Sequence, residues 1–385
     1  MVILSRVPYP LEKGDKLRAY NQIKQLSKKH QVVLFALNDS VLDEHALKEL
    51  QKYCVAISIM KFSKYTIFWN LFRAFFTGKP LQVGYFYFGK AQKKVNEMIS
   101  KHRPDHIYCQ LIRTAEYIKD FPGIPKTLDY MDVFSKGIER RKLTDPFYMR
   151  PFLAMEQRRL LRYEKKVFGQ FNNKTIISEQ DKNLIPHPLK NEIVVVRNGV
   201  DTDYFKPLVR KKEYEVLFNG NMNYPPNIES VEYLVEKIMP YVWKKMPSAR
   251  VLISGASPNS KVTDLASDRV IVSGWVDDIR ENFAKSNMLV APMQISIGLQ
   301  NKLLEAMAMQ IPCVTSVLAN NALGAKAGEQ ILVAETPEQY ARHIIDLIEN
   351  EGKARMIAAN AYKFVTANFN WQSTTAILER LISKK

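Results

Sequence analysis

Cysteine is scarce in this chain of 385 residues, which contains only Cys54, Cys109 and Cys313. Three cysteines so far apart are too few for a disulfide framework or a tetrahedral zinc site. Cys54 and Cys109 each lie in an apolar run, so we expect buried thiols and a reducing compartment.

Long apolar runs are also absent. The sequence contains no stretch of about 18 consecutive apolar residues, so it predicts no membrane-spanning helix. The first residues have the pattern of a strand rather than of a charged leader, and we therefore expect no signal peptide.

Acidic residues are fewer than basic ones. Lys and Arg number 56 against 39 Asp and Glu, which gives a net charge of +17. This balance favours anionic partners, such as nucleic acid, anionic lipid or phosphorylated substrates, without choosing among them. A hydrophobic content of 46% is typical of a globular protein, and the length favours two domains.

The apolar runs that are present alternate with helical patterns along the whole chain. Strands are predicted at residues 2–5, 31–37, 54–59, 104–109, 125–130, 174–178, 193–196, 214–218, 249–254, 269–272 and 287–292. This alternation indicates parallel β-α-β units. In a doubly wound sheet the loops at the strand ends converge on one crevice. The fold class predicted is therefore α/β, with two Rossmann-like doubly wound domains and a cleft between them.

Residues 295–316 are the most informative stretch. They read as a loop with a glycine, a short helix and a strand after Pro312. The free N–H groups at such a helix start suit a phosphate. Lys302 lies in the first turn, where the helix dipole disfavours a cation. Two interpretations remain open: an exposed ion pair with Glu305, three residues on, or an anion bound nearby.

The segment 61–94 is dense in aromatic residues interleaved with lysine and arginine. Three interpretations are open. Half of the rings belong to a core and the lysines face solvent; or the segment lies on an anionic membrane; or, least favoured, it stacks single-stranded bases.

Metal binding is not predicted. Asp201 and Asp203 form an Asp-x-Asp string, but they follow an Asn-Gly turn, and turn capping explains both. Asp129 and Asp132 are no better as metal ligands. No Ser-His-Asp or Cys-His arrangement is apparent in the sequence.

Four segments of the second half resemble a known family. They are NGVDTDYF at 198–205, FNGNMNYPPN at 218–227, SGWVDD at 273–278 and NKLLEAMAMQIPCV at 301–314. In this order and spacing they resemble GT-B fold glycosyltransferases of family GT4, also called group 1. RVPYPLEKGDKLRAY at 6–20 resembles the acceptor-side loop of bacterial members that build surface polysaccharides.

The resemblance implies a role for each matching residue. Glu305 would hold the donor ribose, since a carboxylate accepts two hydrogen bonds from a vicinal diol. The other implied donor-binding residues are Gly298, Leu299, Gln300 and Asn301 over the sugar and diphosphate, Gly220 and Asn221 beneath the diphosphate, Trp275 and Val276 at the nucleobase, Asn198 at the start of the second domain, and Gly14 and Asp15 in the first-domain loop. Asp132 falls where the family keeps polar groups near the reacting centre.

Two departures from the family pattern bear on the chemistry. Ile297 stands where the first glutamate of the family's E-x7-E motif is expected. Asn221 and Pro226 stand roughly where a basic pair normally meets the diphosphate. Lys302 is the natural substitute for that lost charge, so the sequence predicts Lys302 and Asp132 as the catalytic residues.

The resemblance implies an acceptor-binding domain at 1–188, a nucleotide-sugar-binding domain at 189–365 and a C-terminal helix at 366–385 that crosses back to the first domain. It implies a retaining glycosyltransferase that moves a sugar from a UDP- or GDP-sugar to a lipid-linked or glycan acceptor, without a metal cofactor. We expect a cytoplasmic enzyme, peripheral at the inner face of the plasma membrane, and no nucleic-acid partner. A nucleotide-sugar epimerase and a catalytically silent binding or scaffold protein are the alternatives.

Overall fold

The computed structural model describes residues 1–11, 13–38, 44–119, 121–295 and 298–383. These residues form two compact units. The first comprises residues 1–197 together with 371–385, and the second comprises residues 198–370.

The first unit is built on seven strands. They are β1 (Val2–Leu4), β2 (Val33–Asn38), β3 (Ala56–Lys61), β4 (Ile107–Gln110), β5 (Lys126–Asp129), β6 (Asn173–Ile176) and β7 (Val194–Val195). The helices are α1 (Gly14–Leu26), α2 (Glu44–Gln51), α3 (Lys64–Thr77), α4 (Leu81–Tyr85), α5 (Gly89–His102), α6 (Phe134–Thr144), α7 (Arg150–Phe168) and α8 (Glu179–Leu184). Short 3₁₀ turns lie at Ile112–Tyr117, Phe147–Met149 and Lys190–Glu192.

All seven strands pair in parallel, in the order β3-β2-β1-β4-β5-β6-β7. Residues of the central strands, such as Ile3, Phe35 and Cys109, are fully buried because helices cover both faces of the sheet. The strand order reverses between β1 and β4. The loops that follow β1, β4 and β5 therefore meet at the edge where ligands bind in open α/β sheets.

The second unit is built on six strands. They are β8 (Tyr214–Asn219), β9 (Val251–Ser254), β10 (Val270–Gly274), β11 (Ser286–Ala291), β12 (Cys313–Ser316) and β13 (Leu332–Ala334). Its helices are α9 (Pro225–Tyr233), which continues through a π-helical turn at Leu234–Ile238, α10 (Met239–Lys245), α11 (Ser260–Thr263), α12 (Ile279–Ala284), α13 (Asn301–Ala308), α14 (Val317–Leu323), α15 (Pro337–Glu349) and α16 (Glu351–Asn368).

These strands are also parallel, in the order β10-β9-β8-β11-β12-β13. The order reverses between β8 and β11, so the loops after these two strands flank the topological switch point. Helix α13 starts from the second of these loops. The doubly wound topology predicted from the sequence is thus present in both units.

The last helix, α17 (Trp371–Ile382), belongs to the first unit. The boundaries between the units differ from the predicted positions after residues 188 and 365. Strand β7 pairs with β6 and so extends the first sheet to residue 195, although the sequence analysis assigned this strand to the second half. Helix α16 runs to Asn368 within the second unit, which carries that unit to residue 370.

Two segments differ from their sequence reading. The sequence DYMDVFSK at 129–136 predicts a loop, but α6 already begins within it, at Phe134. The segment 61–94 forms α3, α4 and the start of α5, where Phe62, Phe86 and Phe88 enter the core as the first interpretation requires. The aromatic rings of α3 do not enter the core but face solvent. None of the helices within the described residues combines the length and the apolarity needed to cross a membrane.

Candidate functional site

The switch point of the second sheet is framed by two loops with glycine at special positions. Gly298 has a φ of 73°, in the left-handed region that favours glycine, and it leads directly into α13. Gln300 occupies the N-cap of α13, and its side chain makes no capping hydrogen bond. The N–H groups of the first helical turn are therefore not satisfied by a side-chain cap, which suits an anionic ligand. The predicted residue Ile297 lies outside the described residues.

The loop after β8 is held by backbone contacts with its neighbours. The N–H of Gly220 donates to the carbonyl of Ser254 at 3.0 Å, and the N–H of Gly255 donates to Gly274 at 2.9 Å. Gly255 has a φ of 140°, and a Cβ at this residue would lie 1.7 Å from the Gly220 carbonyl oxygen. Only glycine permits this approach, so the position of Gly220 depends on Gly255.

Lys302 is buried at the switch point. Its Nζ donates to Asn227 Oδ1 at 2.8 Å and lies 4.0 Å from the centre of the Phe218 ring. The Asn227 amide also donates to the carbonyl of Asn221 at 2.9 Å. Asn227 thus connects the lysine of α13 to the loop after β8. Sequence analysis did not identify Asn227 or Phe218.

Burial lowers the pKa of Lys302 to about 7, although the carboxylate of Glu305 acts in the opposite direction. Burial likewise raises the pKa of Glu305 to about 7, against the effect of Lys302. No ion pair within 4 Å joins Lys302 to any described acid. The interpretation of Lys302 as half of an exposed ion pair is therefore wrong, because its side chain extends over Phe218 to Asn227 instead.

Glu305 keeps part of its surface exposed, and its carboxylate accepts no hydrogen bond from the residues that the structure describes. Asn198 Nδ2 donates to Asn301 Oδ1 at 3.3 Å, and Gln300 Nε2 donates to the carbonyl of Gly298 at 3.3 Å. Leu299 packs against the core of the second unit. The structure therefore brings the predicted residues 298–302, 305 and 198 together with the loop of Gly220 and Asn221.

Trp275 and Val276 lie further along the same sheet edge. They follow β10, two strands away from β8, which is a separation of about 10 Å. The Trp275 side chain is 66% exposed, and Val276 is half-buried. An exposed indole at this edge is placed to stack on a planar group rather than to build the core.

In the first unit, Gly14 and Asp15 form the first turn of α1. Arg6 donates to the Asp15 carboxylate at 2.7 Å, and Gln110 Nε2 donates to the Asp15 carbonyl at 3.1 Å. These contacts join the loop after β1 to the end of β4, across the switch point of the first sheet.

Asp132 follows β5 at the same edge of the first sheet. Burial raises its pKa to about 7, and Asp181 acts in the same direction, while Arg113 opposes the shift. The pKa of Arg113 is itself lowered to about 10 by burial and then by Arg6. Arg113, which sequence analysis did not identify, lies 4.7 Å from the centre of the Phe134 ring.

Two of the four acidic groups considered as metal ligands, Asp129 and Asp201, accept hydrogen bonds from neighbouring groups. Asp129 accepts from buried Arg18 at 2.6 Å and from Tyr108 at 2.7 Å. Asp201 accepts from the N–H groups of Asp203 and Tyr204, which is the turn capping expected from the sequence. Within the described ranges, no three His, Cys, Asp or Glu side chains are grouped so that they could hold a metal ion.

Comparison with known protein families gives a match within the second unit. Residues 213–350 match the family model described as glycosyl transferases group 1. The match covers most of the second unit and none of the first. This match and the fold of the structural neighbours below confirm the resemblance drawn from the sequence.

An uncharacterised 44.6 kDa protein in the cps region of Klebsiella pneumoniae is 23% identical over 96% of both chains. Among solved structures, sucrose-phosphate synthase from Thermosynechococcus elongatus has a TM-score of 0.71 at 15% identity, over 99% of this chain and 97% of that one. Anabaena HepE, solved in complex with UDP and glucose, has a TM-score of 0.69 at 16% identity, over 100% and 99%. At these identities the likeness concerns the fold.

Proposed function

We propose that this glycosyltransferase is a retaining enzyme of family GT4. It moves a sugar from a nucleotide-diphosphate sugar to a lipid-linked or polysaccharide acceptor in surface glycan synthesis. The observation that carries the proposal is the buried Lys302 in the first turn of α13, whose N-terminus has no side-chain cap. Glu305 lies three residues further on, and its carboxylate has no hydrogen-bond partner among the described residues.

On the donor side, the diphosphate would accept hydrogen bonds from the first turn of α13 and from Lys302. A helix N-terminus and a fixed cation stabilise the charge that develops on the leaving diphosphate, which is the largest contribution a protein typically makes to such a reaction. Glu305 would accept from the ribose hydroxyls, and Trp275 with Val276 would receive the base. HepE, with UDP in its structure, supports a uridine donor, and a guanosine donor is the alternative.

In the first unit, we assign Asp132 as the catalytic group, with Gly14 and Asp15 supporting the loop after β1. A carboxyl group with a pKa of about 7 exchanges protons readily at neutral pH. No metal is required in this proposal, because backbone N–H groups and Lys302 offset the charge of the diphosphate.

The acceptor class and the location rest on weaker support. The relative in a cps region favours surface polysaccharide synthesis. The net charge of +17 favours a cytoplasmic enzyme held at an anionic inner membrane face.

The first test is the melting temperature of the protein with a panel of UDP- and GDP-sugars. We expect one of them to raise the melting temperature, since a ligand that binds only the folded state stabilises it. If no nucleotide sugar in the panel does so, the proposal fails.

The second test separates the alternatives. A transferase releases nucleotide diphosphate from that sugar at a rate that depends on an added glycan or lipid-linked acceptor. An epimerase changes the sugar without an acceptor, and a silent scaffold binds the nucleotide sugar without turnover.

A further inference from the structure

The outer face of helix α3 carries a continuous aromatic surface, which we call the α3 aromatic face. It consists of Tyr65, Phe68, Trp69, Phe72, Phe75 and Phe76, whose exposure ranges from 45% to 84%. At the helical repeat these six residues fall within roughly a third of the helix circumference. Together they expose on the order of several hundred Å² of apolar surface, more than a monomer normally leaves without a partner.

The opposite face of α3 is firmly held. Ala74 is buried against α4, so closely that a Cβ at Gly84 would lie 2.4 Å from the Ala74 Cβ. Arg159 of α7 donates to the carbonyl of Phe75 at 2.8 Å. The rings of the aromatic face also contact one another, for example Phe72 and Phe76 with centroids 4.8 Å apart. The exposed rings therefore belong to a fixed helix and not to a loosely attached segment.

The charged residues of the segment that contains this face have a single sign. The sequence has no Asp or Glu between Glu49 and Glu97. Lys61, Lys64 and Arg73 are exposed, and none of them forms an ion pair within 4 Å with a described residue. On the helical wheel, Lys64 and Arg73 lie at the two borders of the aromatic stripe.

A second group of exposed rings lies on the same side of the first unit. Phe147, Tyr148 and Phe152 are 77%, 70% and 41% exposed. Phe152 lies seven residues before Arg159 on the same face of α7, which is a distance of about 10 Å along the helix. Because Arg159 contacts the end of α3, the two groups of rings lie close to each other.

We propose that the α3 aromatic face, with Lys64 and Arg73 at its borders and Lys61 just before the helix, docks the protein on an anionic lipid bilayer. An apolar stripe rich in aromatic residues and bordered by cations is the composition of helices that lie in the membrane interface. This inference deepens the membrane location given under the proposed function, but it does not require catalysis.

Two other partners fit the surface less well. A second copy of the chain would offer the same positively charged borders, and the sequence from 50 to 96 contains no acid to pair with them. Nucleic acid is bound mainly through phosphate contacts, whereas the exposed surface of this face consists mainly of aromatic rings.

The test uses the full chain and sedimentation with vesicles of phosphatidylglycerol and phosphatidylethanolamine, compared with phosphatidylcholine alone. We expect binding to the anionic vesicles that weakens with salt. Replacing two rings together, W69S/F72S, should reduce binding by roughly tenfold or more, given the apolar surface that each ring buries. K64Q/R73Q should reduce it by roughly 30-fold, because each cation near such a surface contributes a factor of about five.

The matched controls are V209S/M356S and K211Q/K237Q, which change exposed apolar and basic residues of the second unit. They should bind like the parent. The W69F variant should also bind, but it should lose the blue shift of tryptophan fluorescence that vesicles cause in the parent.

Equal binding to both vesicle types would overturn the proposal, and so would vesicle binding of W69S/F72S that equals that of the parent. The proposal also fails if W69S/F72S loses only self-association or only nucleic-acid binding. The rise in melting temperature with a nucleotide sugar is measured on the same proteins. If that rise is absent while vesicle binding persists, the proposed function fails and the docking surface stands.

Discussion

Lys302 is a buried ammonium whose hydrogen bond goes to the neutral amide of Asn227. Burying a cation without a directly paired acid is costly; the lowered pKa of about 7 expresses that cost, which the Glu305 carboxylate offsets only in part. A bound diphosphate would supply the missing negative charge. The cost of burying the charged Lys302 is therefore reduced when an anion binds at the start of α13, and this difference favours binding.

Replacing Lys302 by Ala should lower turnover strongly. Removing one group that stabilises a developing negative charge typically costs about 2.7–4 kcal/mol, which corresponds to roughly 10²–10³ in rate. The measurement is kcat with the donor identified by thermal shift, and Lys237→Ala, an exposed lysine of the same unit, is the control. A Lys302→Ala enzyme within a few-fold of the parent would remove Lys302 from the mechanism.

Donor binding should take up protons at pH 8. Lys302, with a pKa of about 7, is mostly neutral at that pH, and the nearby diphosphate raises its pKa. The complex therefore holds more protons than the free protein above pH 7, and affinity falls as pH rises through the pKa of the complex. Glu305 is already mostly ionised at pH 8 and contributes little.

Titration calorimetry in two buffers of different ionisation enthalpy measures this uptake. We expect up to about one proton per donor at pH 8, less at pH 6.5, and little at either pH for Lys302→Met. Equal uptake by the parent and the variant would contradict the assignment.

Asp132 should limit the stability of the first unit at high pH. Its pKa in the folded protein, about 7, exceeds the ordinary value of 3.8, so ionisation of Asp132 destabilises the folded state. The free energy of unfolding therefore falls as the pH rises from 3.8 through about 7. Asp132→Asn should therefore raise the melting temperature at pH 8 more than at pH 5, while it lowers turnover. Asp268→Asn, at an exposed turn, is the control, and an equal change at both pH values would contradict the prediction.

Sequence reasoning found Lys302 and Glu305 because both lie on one short helix, where spacing alone shows that they are neighbours. It missed Asn227 and Phe218, because they reach Lys302 only through the pairing of β8 with β11. It also expected Lys302 in solvent as one possibility, since spacing within a helix does not reveal which face is covered.

At the scale of elements, the loops after β8, β9 and β10 act as one assembly. The backbone of Gly255 touches that of Gly220 in the loop after β8 and donates to Gly274 at the end of β10. Such contacts fix the loop beneath the proposed diphosphate before any ligand arrives.

Gly255→Ala should therefore move Gly220 and weaken donor binding. The new Cβ would lie 1.7 Å from the Gly220 oxygen, and alanine at a φ of 140° is itself strained, so we expect a loss of roughly 1–3 kcal/mol in stability. Gly137→Ala in α6, where the Cβ meets nothing within 4 Å, is the control and should be neutral or slightly stabilising. Normal donor affinity in Gly255→Ala would show that the loop tolerates displacement.

The alternation of strands and helices was predictable at this scale, because buried parallel strands have continuous apolar runs. The structure of segment 61–94 was not predictable in this way. Helix α3 has apolar residues on its inner face and aromatic residues on its exposed face, so hydrophobicity does not distinguish the two faces. Helix α6 was missed for a related reason: its sequence is mostly polar and begins without a side-chain cap.

At the scale of the whole molecule, the chain leaves the first unit at residue 197 and returns to it at residue 371. The sequence indicated this return only through the family resemblance. Short-range patterns do not show that β7 completes the first sheet, because its two paired residues are as compatible with one sheet as with the other.

A variant that ends at residue 370 should lose stability in the first unit only. Leu378 of α17 is fully buried in an apolar cluster with residues of β1 and α1, and Glu379 pairs with Lys29 at 3.0 Å. Losing the burial that Leu378 provides to this cluster should alone cost about 1.5–3 kcal/mol. Hydrogen exchange should therefore rise in β1 and α1, while nucleotide sugar still protects residues 198–370. A variant ending at residue 382, which keeps α17, should behave like the parent. Loss of ligand protection in residues 198–370 of the shorter variant would show that the second unit depends on α17.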